Sequence, residues 1–245
     1  MQLDYTLNVL IGIYLIALHA LLAVALIKTD LIRRVAIKIG LTKQDFSEKA
    51  SLIPQVRELH RRIDRTVPKG ATIFLGDGIT AALATAAVVP YGVNYGIGSQ
   101  RSDQLIRSMD IYESIKHAER VVVMIGTNDI LQGREAGIES RYQAILAKIP
   151  PNIEVFLSSV PPLGITEFAG RQIENSKVRF AVMSAESACK ADHRCRFVNA
   201  YNELSIAETP LPGVLSEDGR HLTPRGYELW IKLIREAITL AAAGK

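Results

Sequence analysis

A chain of 245 residues with 48% hydrophobic and 22% charged residues has material for one full core plus an appendage, which excludes a disordered chain. The formal charge of +4 is modest, and much of it gathers in one N-terminal stretch at Lys28, Arg33, Arg34, Lys38 and Lys43. No basic face interleaved with aromatics is visible, so nucleic acid is excluded as a partner. From Leu7 to Ile27 the chain reads LNVLIGIYLIALHALLAVALI without a charge, and at ~1.5 Å per residue such a run spans ~30 Å of hydrocarbon. It predicts one transmembrane helix in residues 1–28. The leading MQLDYT has no Lys or Arg and no small-x-small site precedes Lys28, which favours a retained anchor over a cleaved signal peptide. A buried core helix is the plainer alternative, but the apolar residues surround the helix and mark no single face. His19, inside the span, reads as a neutral imidazole facing another helix.

Residues 29–70 read as a juxtamembrane connector. Asp30 to Leu41 suits an amphipathic helix on a membrane surface with Arg33, Arg34 and Lys38 at anionic head groups, or a plainly solvated helix. Lys43 to Thr66 has helical character interrupted near Pro54, with Leu52, Val56, Leu59 and Ile63 as its apolar face and Arg57, Glu58, Arg61 and Arg62 solvated. Val67-Pro68-Lys69-Gly70 then breaks the helix.

Residues 71–245 alternate strand and helix. Strand-like runs occur at Thr72–Leu75, Gly92–Tyr95, Arg120–Ile125, Glu154–Val160 and Arg196–Ala200. Helical patterns lie around Ala81–Ala87, Asp103–Lys116, Ala136–Lys148 and Gln172–Cys189, with a last helix from Pro224 to about Ala242. This alternation predicts an α/β fold, a parallel sheet covered on both faces, with ligands at the carboxyl ends of the strands.

Four motifs fall at strand ends or in the last loop: Phe74-Leu75-Gly76-Asp77-Gly78-Ile79-Thr80, Asn94-Tyr95-Gly96, Gly126-Thr127-Asn128-Asp129 and Asp218-Gly219-Arg220-His221. In their order they resemble the four landmarks of the SGNH (GDSL) hydrolase family, over roughly residues 70 to 230, with Gly78 standing where the family carries its nucleophilic serine. The resemblance implies a flavodoxin-like three-layer sandwich on a five-stranded parallel sheet. It also implies carboxylic ester hydrolysis by a Ser-His-Asp mechanism. On it, His221 is the base and Asp218 its orienter, while the backbone N–H of Gly78, the backbone N–H of Gly96 and the amide of Asn128 form the oxyanion hole. The plain readings are a solvated His and Asp in a surface loop, a turn glycine at 96, and Asn128 capping the next helix. Asp77, Thr127 and Asp129 read as structural.

A glycine supplies an N–H but no hydroxyl, so the covalent mechanism lacks its attacking atom. Ser99 is a remote substitute nucleophile. Gly78 was introduced to silence an esterase or marks a natural pseudoenzyme, and intact Asn128, Asp218 and His221 favour the first. The expected function is a membrane-anchored acyl or acetyl esterase, lipase-like, inactive or severely impaired as written, acting on an acyl ester of an envelope glycan or lipid. The alternatives are a non-catalytic module binding an acylated glycan or lipid, and an acyltransferase. A dinucleotide-binding reading of Asn94-Tyr95-Gly96-Ile97-Gly98 lacks a third glycine and a partner acid. No metal or cofactor is expected, and His60, His117 and His193 read as exposed.

Membrane orientation is contested. Basic residues follow the span, which puts the domain in the cytoplasm. Cys189 and Cys195 read as a disulfide bracketing a short loop, although two buried free thiols would look the same. The expectation is a single-pass protein of a bacterial-type inner or plasma membrane with its domain on the extracytoplasmic, periplasmic side.

Overall fold

The computed structural model describes residues 2–28 and 52–244, which divide into an N-terminal unit and a unit from Ser47 onward. In the first unit one helix, α1 (Gln2–Lys28), contains the predicted span. Its described side chains are confined to positions 8, 11–22 and 24, and among the described residues no helix is long and apolar enough to cross a membrane. The amphipathic stretch predicted for Asp30 to Leu41 lies outside the described residues.

The second unit opens with α2 (Ile53–Asp64), where Pro54 occupies the first turn; the part of the predicted helical stretch from Lys43 to Ser51 lies outside the described residues. The face that the spacing predicts as buried turns outward: Leu52, Leu59 and Ile63 are exposed, and Ile53, His60 and Asp64 face inward. Polar bonds override the apolar pattern. The Asp64 carboxylate accepts from the backbone N–H of Glu113 at 2.8 Å, that of Ser114 at 3.2 Å and the Tyr95 hydroxyl at 2.9 Å. His60 is also buried, with Nδ1 3.0 Å from the Tyr112 hydroxyl and its ring 5.1 Å from that of Tyr95, so the expectation that it is exposed is corrected. Burial pushes its pKa down to about 4. His117 and His193 are exposed as expected.

Strands β1 (Thr72–Gly76), β2 (Gly92–Gly96), β3 (Arg120–Met124) and β4 (Glu154–Ser158) are joined, beyond two short hairpin strands, by β7 (Cys195–Val198) in one all-parallel sheet of order β2-β1-β3-β4-β7. Period-two alternation serves both faces. Ile73, Leu75, Val121, Val123, Val155 and Leu157 point into one apolar layer with Leu105, Tyr142 and Ala181. Phe74, Val122, Met124 and Phe156 point into the other with Trp230 and Ile234. The parallel sheet covered on both faces is what the alternation predicts, and its five strands between two helical layers form the sandwich that the resemblance implies.

Between the strands run α3 (Gly78–Ala81), α4 (Thr85–Val88), α5 (Ser102–Ser108), α6 (Thr127–Leu131), α7 (Ile138–Lys148), α8 (Asn175–Lys190), α9 (Ala200–Glu203) and α10 (Pro224–Ala243). The helix predicted for Asp103–Lys116 stops at Ser108 and continues as two 3₁₀ turns, because the Asp64 carboxylate captures the Glu113 and Ser114 N–H groups and starts the chain again there. A hairpin of β5 (Glu167–Phe168) and β6 (Arg171–Gln172) precedes α8, inside and just ahead of the predicted Gln172–Cys189 helix. A second hairpin pairs β8 (Ser205–Ile206) with β9 (Thr209–Pro210).

Cys189 and Cys195 form a disulfide with Cα atoms 5.1 Å apart, tying the end of α8 to the start of edge strand β7. A closed loop of this size gives a chain-entropy stabilisation of ~2 kcal/mol. The Cys189→Ser/Cys195→Ser variant should therefore lose ~2 kcal/mol in urea unfolding. An unchanged unfolding midpoint would show that the loop is ordered without the bond.

Candidate active site

At the carboxyl ends of β1, β2 and β3 lies a cleft of about 150 Å³ lined by Asp77, Gly78, Ile79, Gly98, Ser99, Thr127, Asn128, Leu131, Arg220 and His221. The first wall is the turn after β1. Asp77 caps α3 by accepting from the Ile79 N–H at 3.0 Å, and Gly78 is the first helical residue, so its own N–H has no intrahelical acceptor. Tyr227 in α10 donates to the Ile79 carbonyl at 2.9 Å and fixes this turn.

The second wall is the loop after β2. Asn94 reaches across, its amide donating to the carbonyls of Thr80 at 2.8 Å and Leu83 at 3.0 Å while its Oδ1 accepts from the Gly96 N–H at 2.9 Å. Gly96 is therefore not an oxyanion donor here, contrary to the reading from resemblance. It is buried, outside the cleft, and its N–H is taken. Its lack of a side chain serves packing, since a Cβ would stand 2.2 Å from the Ala81 nitrogen. The cleft is lined instead by Gly98 and Ser99, whose N–H groups have no acceptor among the backbone bonds of the described residues. Ser99 holds φ at 63° in the left-handed region, a conformation uncommon for a side chain bearing Cβ, and it sits at the site. No hydrogen bond joins its hydroxyl to His221 among the described residues, so the substitute-nucleophile reading gains nothing.

The third wall is α6. Asn128 donates from Nδ2 to the Gln100 carbonyl at 3.1 Å and keeps a second N–H for a ligand. Asp129 lies fully buried beneath, accepting from the Ser102 N–H at 2.9 Å and the Ser102 hydroxyl at 2.7 Å, while that hydroxyl accepts from Arg141 Nε at 2.7 Å. This chain pins the loop that carries Ser99. Burial raises the pKa of Asp129 against the pull of the Ser102 donors and Arg141.

The fourth wall is the loop before α10. Asp218 Oδ1 accepts from the Ser216 hydroxyl at 2.7 Å and from the N–H groups of Arg220 and His221 at 3.1 Å. Its Oδ2 lies 2.5 Å from His221 Nδ1, which leaves Nε2 directed away from the carboxylate and able to take a proton. Partial burial opposes ionisation of Asp218, but these hydrogen bonds outweigh it and hold the carboxyl well below the usual carboxylate range. The segment leading into the β5–β6 hairpin is tied to this loop through the Gly164 N–H, which donates to the Gly219 carbonyl at 2.8 Å.

Gly78, Asn128, Asp218 and His221 thus come together, and a Cβ built on Gly78 would lie 3.8 Å from His221 Nε2, with Gly98 Cα at 3.5 Å as its other close neighbour. Gly98, Leu131 and Arg220 complete the lining. The glycine pair after β2 was legible, but choosing its second member required the packing of Ala81 on Gly96, which no spacing encodes.

The model of the GDSL-like lipase/acylhydrolase family matches residues 58–229. Solved structures share the fold. A protein from Streptococcus pneumonia is 19% identical over 86% of this chain and 97% of its own, at a TM-score of 0.69. A GDSL-like lipase from Bacteroides thetaiotaomicron is 24% identical over 76% of this chain and 98% of its own, at 0.59. A lipase/acylhydrolase from Enterococcus faecalis is 20% identical over 70% and 96%, at 0.58. No curated protein sequence matches the chain. With four walls of one cleft assembled from its ordered motifs, and a family model spanning more than half its length, the chain belongs to the GDSL-like lipase/acylhydrolase family.

Proposed function

We propose that this chain has the site of a carboxylic ester hydrolase of the Ser-His-Asp type in which position 78 has lost its hydroxyl, so that as written it binds acyl esters with little or no turnover. The observation that carries the reading is the open place at Gly78: a Cβ there meets only ordinary contacts and stands 3.8 Å from His221 Nε2. A serine hydroxyl on that Cβ falls within reach of the base. The N–H groups of residues 78, 98 and 99 and the amide of Asn128 are the candidate oxyanion donors. The test is hydrolysis of a short-chain aryl ester by Gly78→Ser, argued below.

A second reading, a binding module for an acylated glycan or lipid, is favoured by Gly78 itself. It takes precedence if a folded Gly78→Ser gains nothing on acetyl and longer acyl esters. Transfer of the acyl group to an acceptor other than water uses the same residues, and acceptor competition in that assay separates it from hydrolysis.

The same proposal includes a membrane anchor in residues 1–28 and an extracytoplasmic domain. The uncharged run from Leu7 to Ile27 within α1 supports the first, and the Cys189–Cys195 bond the second. The chain should stay in the membrane pellet through an alkaline carbonate wash. Prepared from its native membrane without reductant, it should resist thiol alkylation; release by carbonate would remove the anchor, and labelled cysteines would place the domain in the cytoplasm.

A further inference from the structure

We propose that Arg220 makes the cleft selective for esters that carry an anionic group, a carboxylate or a phosphate, beside the ester bond; this rests on the acyl-ester reading above. Arg220 lies between the two members of the His-Asp pair and lines the cleft. Its guanidinium carbon stands 4.9 Å above the centre of the Phe168 ring, which orients the planar fork by cation–π contact. The one polar contact of the guanidinium among the described residues is Nη2 to Asp218 Oδ2 at 3.3 Å, and that oxygen is already held at 2.5 Å by His221 Nδ1. A guanidinium has five N–H donors. Here no other side chain or carbonyl among the described residues takes them.

A brace for the loop is the plainer role, but Asp218 has its own hydrogen bonds from Ser216, two backbone N–H groups and the His221 ring without the guanidinium. The charges facing a ligand also favour an anion. Of the two carboxyls at the cleft, Asp218 is committed to these donors and Asp77 is buried beneath the floor, where burial raises its pKa toward the neutral form. Ile79, Thr127, Asn128 and Leu131 are uncharged. A neutral ester leaves the guanidinium fork idle, whereas a carboxylate or phosphate can accept two parallel charge-assisted bonds from it.

The test uses the full chain as it stands, whose turnover of an ester is slow enough for equilibrium binding to be read. Binding of 4-acetoxybenzoate, its methyl ester and 4-acetoxyphenyl phosphate is followed by NMR titration in detergent at low salt. The better of the two anionic esters should bind ~10-fold tighter than the neutral one, within the usual strength of a hydrogen bond to a charged group. Comparing the two anions identifies which group the fork prefers. In Arg220→Gln the ratio of anionic to neutral affinity should fall to about one, and Arg220→Lys should lie between. Equal affinities in the unmodified chain, or a ratio that survives Arg220→Gln, overturn the proposal. Should Arg220→Gln fail to fold, raising salt from about 0.05 to 0.5 M on the unmodified chain must shrink the ratio, and a salt-independent ratio overturns it. An anion preference without restored turnover in Gly78→Ser removes the hydrolase reading and leaves this one. Restored turnover without the preference does the reverse.

Discussion

Gly78→Ser is expected to raise hydrolysis of a short-chain aryl ester by ~10³-fold or more over the chain as written. Triad knockouts in serine hydrolases keep roughly 10³ to 10⁴-fold catalysis over water through binding and oxyanion stabilisation, so the glycine form is not a null background and the gain is read against it. The backbone tolerates the change, because residue 78 lies in the first turn of α3 and not in the left-handed region. The new Cβ would meet Gly98 Cα at 3.5 Å and His221 Nε2 at 3.8 Å, ordinary contacts that displace nothing. From that Cβ the hydroxyl can donate to Nε2 while His221 Nδ1 remains held by Asp218. Attack on the ester carbon then moves the hydroxyl proton to Nε2, and the displaced negative charge forms on the carbonyl oxygen beside the free N–H groups of the cleft. In Gly78→Ser/His221→Ala the rate should return close to that of the glycine form, since the hydroxyl keeps its place but loses its base. A folded Gly78→Ser at the background rate would remove the hydrolase reading.

How far this site could be read from the chain depended on what kind of interaction fixes each residue. The parallel sheet with both faces covered follows from the alternation of strand and helix along the chain, and Ile73 and Leu75 turn to one layer while Phe74 turns to the other. His221 and Asp218 were legible because their loop follows three other motifs in the order of the resemblance, and the three-residue spacing lets that loop close its own hydrogen bond. The orientation of α2 was not, because an apolar spacing lost to a carboxylate that finds its donors some fifty positions away, at Glu113 and Ser114. Gly96 failed for a similar reason: Asn94 takes its N–H and α3 packs against it, and neither fact is local. The part of the cleft set by Arg220 over Phe168 depends on the β5–β6 hairpin, two strands of two residues each, too short for any period to mark.

Asp77→Asn should make the protein less sensitive to alkali, and the sign follows from where the proton resides. Asp77 is fully buried, and burial, opposed by the Ile79 N–H and reinforced by the nearby charge of Asp129, pushes its pKa up from 3.8 to about 7. A carboxyl raised in the folded state binds a proton that the unfolded chain has already released between pH 4 and pH 7. Its contribution is therefore fully present below about pH 4 and is lost as the pH rises through 7, a loss on the order of 4 kcal/mol at one pKa unit per 1.36 kcal/mol. Asparagine keeps an oxygen to accept from the Ile79 N–H, so the cap on α3 survives, but it has no proton to lose. Urea unfolding at about pH 4 and pH 8 should then show the variant gaining on the parent by roughly 4 kcal/mol across that interval, while groups that titrate alike in both proteins cancel. Because the capped turn carries Gly78, the same measurement on Gly78→Ser links activity to the floor of its site. If the two unfolding free energies stay parallel from acid to alkali, Asp77 is ionised in the folded protein and the buried acid beneath the cleft must be stabilised by donors stronger than Ile79.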